Sequence, residues 1–308
     1  MTVQANAGIL SRRWELTDRR REAIAAYLFI LPTYLGFAIF IIGPILAAAG
    51  ISLTKFDILG STKFIGLDNY AKMLTDVRLR TVYLNTVGFT VFAVFFNAGI
   101  GLVLAVLLNR RMPTLIRNLY RSIYFFPLLI AHTYIAVIWQ FLYAKDTGVI
   151  NYYLGVLGVA KIPWLSSIQW VMPSVIIMDV WKNTGFAMLI FLSGLQNIPP
   201  VYYEAAKIDG ANERQLFFGI TLPLLSPTIF FVLVIFMIGA LQVFDTIIVL
   251  TQGGPGDASR SVVMYIFSKA FQDFDMGHSS AISMTLFGVI LILTLLQFMI
   301  GRRWVHYE

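Results

Sequence analysis

Polar residues capable of chemistry are sparse in this sequence, and most stand inside long apolar runs. Asp179 and Lys182 lie three apart, a spacing that lets a carboxylate and an ammonium meet on one helical face and offset part of each other's desolvation. They can serve as an ion pair that holds helices together or as contacts along a path through the apolar interior. Gln242 and Asp245 repeat that spacing in another apolar run, again on one face, with Phe244 beside them. Trp139 with Gln140, and Trp181 with Asn183, set flat rings next to amide donors and acceptors. Such groups suit reversible contacts or interhelical hydrogen bonds. Cysteine is absent, which excludes disulfides, thiolate ligands and thiol nucleophiles. His132, His278 and His306 are far apart in sequence and form no spaced ligand set. No Gly-x-x-x-x-Gly-Lys-Ser/Thr run occurs, so the chain has no P-loop for nucleotide phosphates.

The elements that must position these residues are membrane spans. Only 13% of the 308 residues are charged and 58% are apolar, with 25 phenylalanines that water would not tolerate on a surface. Six blocks reach the roughly 20 apolar residues that cross a bilayer; they lie near 24–50, 82–108, 119–144, 171–195, 225–250 and 279–300. Continuous apolarity without period-two alternation favours helices over a barrel. The expected fold is an all-α polytopic membrane protein with six transmembrane helices. Pro32, Pro44, Pro127 and Pro173 imply kinks or interruptions, and Ala98, Gly99, Gly101 and Ala105 permit close helix approach. The first block runs uncharged from about Ala23 to Thr54, longer than a signal-peptide core, and is expected to remain as an anchor.

Basic residues set the orientation. Arg12, Arg13, Arg19, Arg20 and Arg21 precede the first span; Arg110, Arg111, Arg117 and Arg121 follow the second; Arg302 and Arg303 follow the last. Six spans put all three groups on one side, cytoplasmic by the positive-inside rule. Lys55, Lys63, Lys72, Arg78 and Arg80 oppose that bias in the first external loop, diluted by Asp57, Asp68 and Asp76. The net charge of +7 is thus explained by a membrane, with no need for nucleic acid. The expected organisation is a cytoplasmic segment 1–23, a membrane domain 24–300 and a cytoplasmic tail 301–308. External segments fall at 51–81, 145–170 and 251–278, the last carrying the turn-rich run Thr251 to Asp257.

The cytoplasmic segment 197–228 is the most distinctive. Pro199 and Pro200 before it and Gly210 after it bound a short helix near 200–209, with Val201, Ala205 and Ile208 on one narrow apolar face and Glu204 within reach of Lys207. On these residues alone it reads as a surface helix at the membrane. Its Glu204-Ala205-Ala206, Asp209-Gly210-Ala211 and Ile220-Thr221-Leu222-Pro223, in that order and spacing, resemble the EAA loop of binding-protein-dependent ABC importer permeases. Trp181, Gly185-Phe186, the run Phe191 to Gln196 and the run Leu250 to Pro255 are similar to the MalF-like carbohydrate subgroup, in its compact six-span form. The similarity covers about residues 24 to 303.

The resemblance implies a type I ABC importer permease fold in the bacterial inner (plasma) membrane, with both termini cytoplasmic. It implies that Glu204, Ala205, Ala206, Asp209 and Gly210 couple the chain to a cytoplasmic ATPase. The expected partners are two ATPase subunits that hold ATP and Mg, a second MalG-like permease, and an extracytoplasmic binding protein that delivers a sugar or polyol. This chain itself is expected to bind no cofactor and to catalyse nothing. Candidate substrate-pathway contacts are Trp139, Gln140, Asp179, Trp181, Asn183, Gln242, Phe244 and Asp245; packing and interhelical bonding are the competing roles. Glycerol 3-phosphate is an alternative cargo, although Lys182 is nearly alone as a cation within the spans. A membrane receptor or scaffold without transport is the alternative of a different class.

Overall fold

The structure, a computed structural model, describes residues 3–56, 62–110 and 112–305, with side chains from Arg20 onward. The side chains of Arg12, Arg13 and Arg19, and residues Asp57, Arg111 and His306, lie outside what is described. Fifteen helices follow one another among the described residues: α1 (Val3–Phe37), α2 (Gly43–Ser52), α3 (Asp68–Thr75), α4 (Val77–Asn109), α5 (Thr114–Leu129), α6 (His132–Leu142), α7 (Val149–Val156), α8 (Ile168–Gln196), α9 (Pro200–Ile208), α10 (Glu213–Leu216), α11 (Leu222–Leu224), α12 (Ser226–Leu241), α13 (Asp245–Leu250), α14 (Val262–Phe271) and α15 (Met276–Gly301). A two-residue antiparallel ladder, β1 (Thr54–Lys55) with β2 (Lys63–Phe64), is a small addition to the otherwise helical chain.

Four stretches are long and apolar enough to cross a membrane unaided: Arg20–Ser52, Val77–Asn109, Ile168–Gln196 and Met276–Gly301. Two bent pairs complete a set of up to six, α5 with α6 at 101° and Glu213–Leu224 with α12 at 62°. The chain is an all-α multi-pass membrane protein. Prolines explain most of the irregularity. Pro44 and Pro223 each follow a π-helical turn, at Ala38–Ile42 and Phe217–Thr221, where the wider turn accommodates a ring that would strike the carbonyl four residues back. Pro127 stands in the last turn of α5, and the chain passes through Ile130 and Ala131 in extended conformation before α6 begins. Pro32 and Pro173, expected to kink, lie inside α1 and α8 without ending either helix.

The fifth expected span, 225–250, is not one helix. It stops at Leu241, turns through Gln242 and Phe244, and resumes as α13, so Gln242 and Asp245 do not share one continuous helical face. Gln242 caps one helix and Asp245 opens the next.

α4 and α8 run side by side in the same direction. Lipid offers no hydrophobic drive for helices to meet, so small residues and buried hydrogen bonds must hold them together. Gly101 provides the closest approach: a β-carbon there would lie 2.6 Å from that of Ala187. Ala105, Ala187, Met188 and Phe191 are fully or almost fully buried in one cluster toward the end where α9 stands. A second cluster, with Phe89, Ile135, Met178 and Ile247, fills the other half, and a third joins Leu79 and Val82 to Tyr265 and Ile282. Large side chains on the outer surface are apolar, as at Phe29 (85% exposed) and Phe95 (68%), which suits contact with lipid.

Candidate functional site

A cavity of about 300 Å³ opens among α4, α8, α12 and the turn into α13. Its polar lining is Asn97, His132, Asp179, Asn183, Gln242, Asp245 and Thr246, set among Phe89, Phe186, Phe236 and Phe244. Asp179 is held from two sides: Asn97 Nδ2 donates to Oδ2 at 3.0 Å and Asn183 Nδ2 donates to Oδ1 at 2.9 Å. Asn97 is completely buried and also bonds the Ala93 carbonyl and accepts from Thr184 at 3.3 Å, so it ties α4 to α8 at the cavity floor. Gln242 and Asp245 are exposed and make no side-chain hydrogen bond among the described residues, which leaves their oxygens and amide free for a guest. The break at Gln242–Phe244 is what turns these groups and the Phe244 ring toward one space.

The expected Asp179–Lys182 pair does not form. Lys182 is 2% exposed and points the other way, donating to the carbonyls of Ile130 (3.0 Å) and Leu128 (3.4 Å) at the break between α5 and α6. The reason is local: carbonyls at the end of a broken helix have no intrahelical donor, and in an apolar interior an ammonium at a helix C-terminus satisfies both the hydrogen bonds and the dipole. Gly185, one turn further, lets α5 lie directly on α8, since a β-carbon there would fall 1.9 Å from the Tyr124 carbonyl oxygen.

Of the eight expected pathway residues, Asp179, Asn183, Gln242, Phe244 and Asp245 line the cavity. Trp139 is 8% exposed and packs its ring on Tyr143 and Trp181. Gln140 Nε2 donates to the backbone carbonyls of Val249 and Leu250, and Trp181 is half exposed outside the cavity. Asn97, Phe186 and His132 also line the cavity and are not among the expected pathway contacts. Asn97 had a usable signal, a lone amide inside an uncharged span, where polar residues need a partner. His132 faces the cavity only because the 101° bend brings the start of α6 there.

The Glu-Ala-Ala segment forms α9, which no buried residue anchors. Val201 is 61% and Ile208 87% exposed, so the narrow apolar face is left largely uncovered among the described residues. Glu204 and Lys207 form none of the ion pairs found among the described residues. Its exit is sharply defined. Ala211 N–H donates to the Ala206 carbonyl at 2.9 Å and Gly210 N–H to that of Lys207 at 3.1 Å, a Schellman turn with Gly210 at φ +83°. Asn212 and Gln215 then cap α10 reciprocally, and Tyr203 bonds Thr221 across the loop at 3.0 Å. The result is a short rod on a stiff mount.

At the opposite end the run Thr251 to Asp257 is tethered, not loose. Asp257 receives a two-pronged bond from Arg78 and another bond from Arg260, while Asn85 donates to the carbonyls of residues 257 and 260. The Arg78 hydrogen bond, aided by Arg260, holds the Asp257 carboxyl below the usual carboxylate range. Burial alone would raise Asp76, yet bonds from Tyr265 and from the amides that it caps at the start of α4 keep it low.

Spans that enclose a polar cavity and hand an exposed, rigidly mounted helix to one side make the chain a transport subunit. It belongs to the family of binding-protein-dependent transport system inner membrane components, which matches residues 97–306. It is 36% identical over 294 residues to the probable ABC transporter permease protein YesP of Bacillus subtilis, covering 94% of each chain. It is 37% identical over 283 residues to the trehalose/maltose transport system permease protein MalF of Thermococcus litoralis, covering 92% of this chain and 95% of the relative. A crystal structure of a bacterial ABC transporter that imports the acidic polysaccharide alginate contains a chain of the same fold, with a TM-score of 0.82 at 26% identity and 95% and 99% coverage.

Proposed function

We propose that this chain is one half of the translocation pathway of an ATP-driven, binding-protein-dependent importer of neutral sugars or polyols, coupled through α9 to a cytoplasmic ATPase. The observation that carries the reading is α9 itself: a Glu-Ala-Ala rod, exposed on its apolar face and closed at its C-terminal end by a Schellman turn, at the end of the bundle toward which the cavity-lining helices α4 and α8 run. A rigid element can transmit nucleotide-driven closure, whereas a floppy loop would absorb it. Glu204, Ala205, Ala206, Asp209 and Gly210 form the seat, with ATP and Mg on the partner ATPases. The half-open cavity is completed by a second, MalG-like permease, and an extracytoplasmic binding protein delivers the cargo. Segments 1–23 and 301–308 are cytoplasmic and flank the membrane domain 24–300.

The neutral cargo rests on the lining. Two carboxylates, Asp179 and Asp245, face the cavity with no lysine or arginine, since Lys182 is committed to backbone carbonyls. Amide and carboxylate oxygens between phenyl rings suit hydroxyl groups on an apolar ring face, whereas glycerol 3-phosphate would meet like charge. The test is to purify the assembled complex with its binding protein and screen sugars, polyols and their phosphates for stimulated ATPase and vesicle uptake. Glu204→Arg and Gly210→Pro should uncouple ATP hydrolysis from uptake or prevent ATPase docking. Unchanged stimulated hydrolysis and uptake in both variants would sink the coupling role; stimulation by phosphorylated compounds alone would sink the neutral cargo; failure of any ATPase to copurify would favour the receptor or scaffold.

A further inference from the structure

Arg117 and Arg121 lie one turn apart on α5, and the Nε of each is shielded from solvent without a hydrogen-bond partner. Arg117 spends one donor on the Met112 carbonyl at 3.3 Å, and Arg121 has no hydrogen bond or ion pair among the described residues. Beyond the two shielded Nε–H groups, eight terminal N–H donors thus hold a single bond between them.

No acidic residue of α4 to α6, or of the half of α8 on which α5 packs, can neutralise this pair. The sequence from Val77 to Lys145 contains no aspartate or glutamate, and α8, against which α5 packs, has none after Asp179. Direction places the pair in the membrane. α5 runs opposite to α8, with Tyr124 against Gly185 and Leu128 and Ile130 against Lys182, so Arg121 and Arg117 stand toward the end that carries α9. At a rise of 1.5 Å per residue they lie about 4.5 and 10 Å beyond Tyr124. The turns around them are apolar and bare, with Leu115 82%, Leu119 58% and Ile123 55% exposed, as on a helix bathed in lipid tails.

We propose that Arg117 and Arg121 form a binding site for the phosphate of an anionic phospholipid headgroup at this membrane face. A guanidinium pair one helical turn apart can grip phosphate oxygens with planar, two-pronged bonds that a lysine cannot match. Apolar side chains on the same turns accept the acyl chains, and basic residues clustered at a membrane face attract anionic headgroups. This makes the lipid a bound ligand and not merely solvent.

The full chain, purified in a mild nonionic detergent and exchanged into mixtures of phosphatidylglycerol and phosphatidylcholine at constant total lipid, is examined by native mass spectrometry. The unmodified chain should retain phosphatidylglycerol over phosphatidylcholine. Arg117→Gln with Arg121→Gln should lower that retention about tenfold or more, and the paired lysine variant should fall between, which separates lost recognition from lost folding. Equal retention of the two lipids by the unmodified chain overturns the proposal without any variant. So does undiminished retention in the glutamine pair, or complete displacement of the lipid by millimolar inorganic phosphate, which marks a free-phosphate site.

Discussion

Lys182→Met removes a buried ammonium while keeping most of its length. The Ile130 carbonyl loses a donor at 3.0 Å and the Leu128 carbonyl one at 3.4 Å, both at a helix break in the apolar interior. Leaving a buried acceptor unsatisfied costs about 1–3 kcal/mol; the longer bond counts for less, and relief from burying the ammonium offsets part of the sum. The expected net loss is about 2–4 kcal/mol. Reversible unfolding of the full chain in mixed micelles measures it, with Ile177→Val, an exposed position, as a control expected to change stability by under about 0.5 kcal/mol. Because the break also brings His132 to the cavity, uptake should fall further than stability accounts for. A loss below about 1 kcal/mol would refute the reasoning, since the two carbonyls would then have had other partners or needed none.

Gly185→Ala should abolish stable accumulation of the protein, because its β-carbon would collide with the Tyr124 backbone, whereas Gly99→Ala meets open space and should behave as wild type; quantitative membrane yield and monodispersity compare them. Gly210→Asn should keep substrate-stimulated ATPase activity and Gly210→Val should lose most of it, as asparagine tolerates a φ of +83° far better than a β-branched residue does. The folded-state value of Asp257 lies below the ordinary 3.8, so its contribution is fully present above that value and is lost as pH falls through the folded one. Protection of residues 251–261 from proteolysis should therefore drop below about pH 4, and Asp257→Asn should already show the acid-state sensitivity at neutral pH.

The sequence alone determined the membrane character, the apolar blocks of span length and the Glu-Ala-Ala helix with its glycine exit, because these depend on residue type over short, contiguous stretches. An apolar run of span length has few alternatives in lipid, and Pro200 and Gly210 act on their own backbone. What the tertiary structure alone decided is which polar groups meet. Three-residue spacing made Asp179 and Lys182 neighbours on paper, yet α4 supplied Asn97 to the one and the broken third span supplied carbonyls to the other. Gln242 and Asp245 share a cavity not through helical periodicity but through a break in the helix that would have carried it. Trp139, Gln140 and Trp181 differ little in sequence context from the residues that do line the cavity. In an apolar interior each polar group takes whichever partner the packed helices bring within reach, and that choice is made between helices, beyond the range of any local pattern.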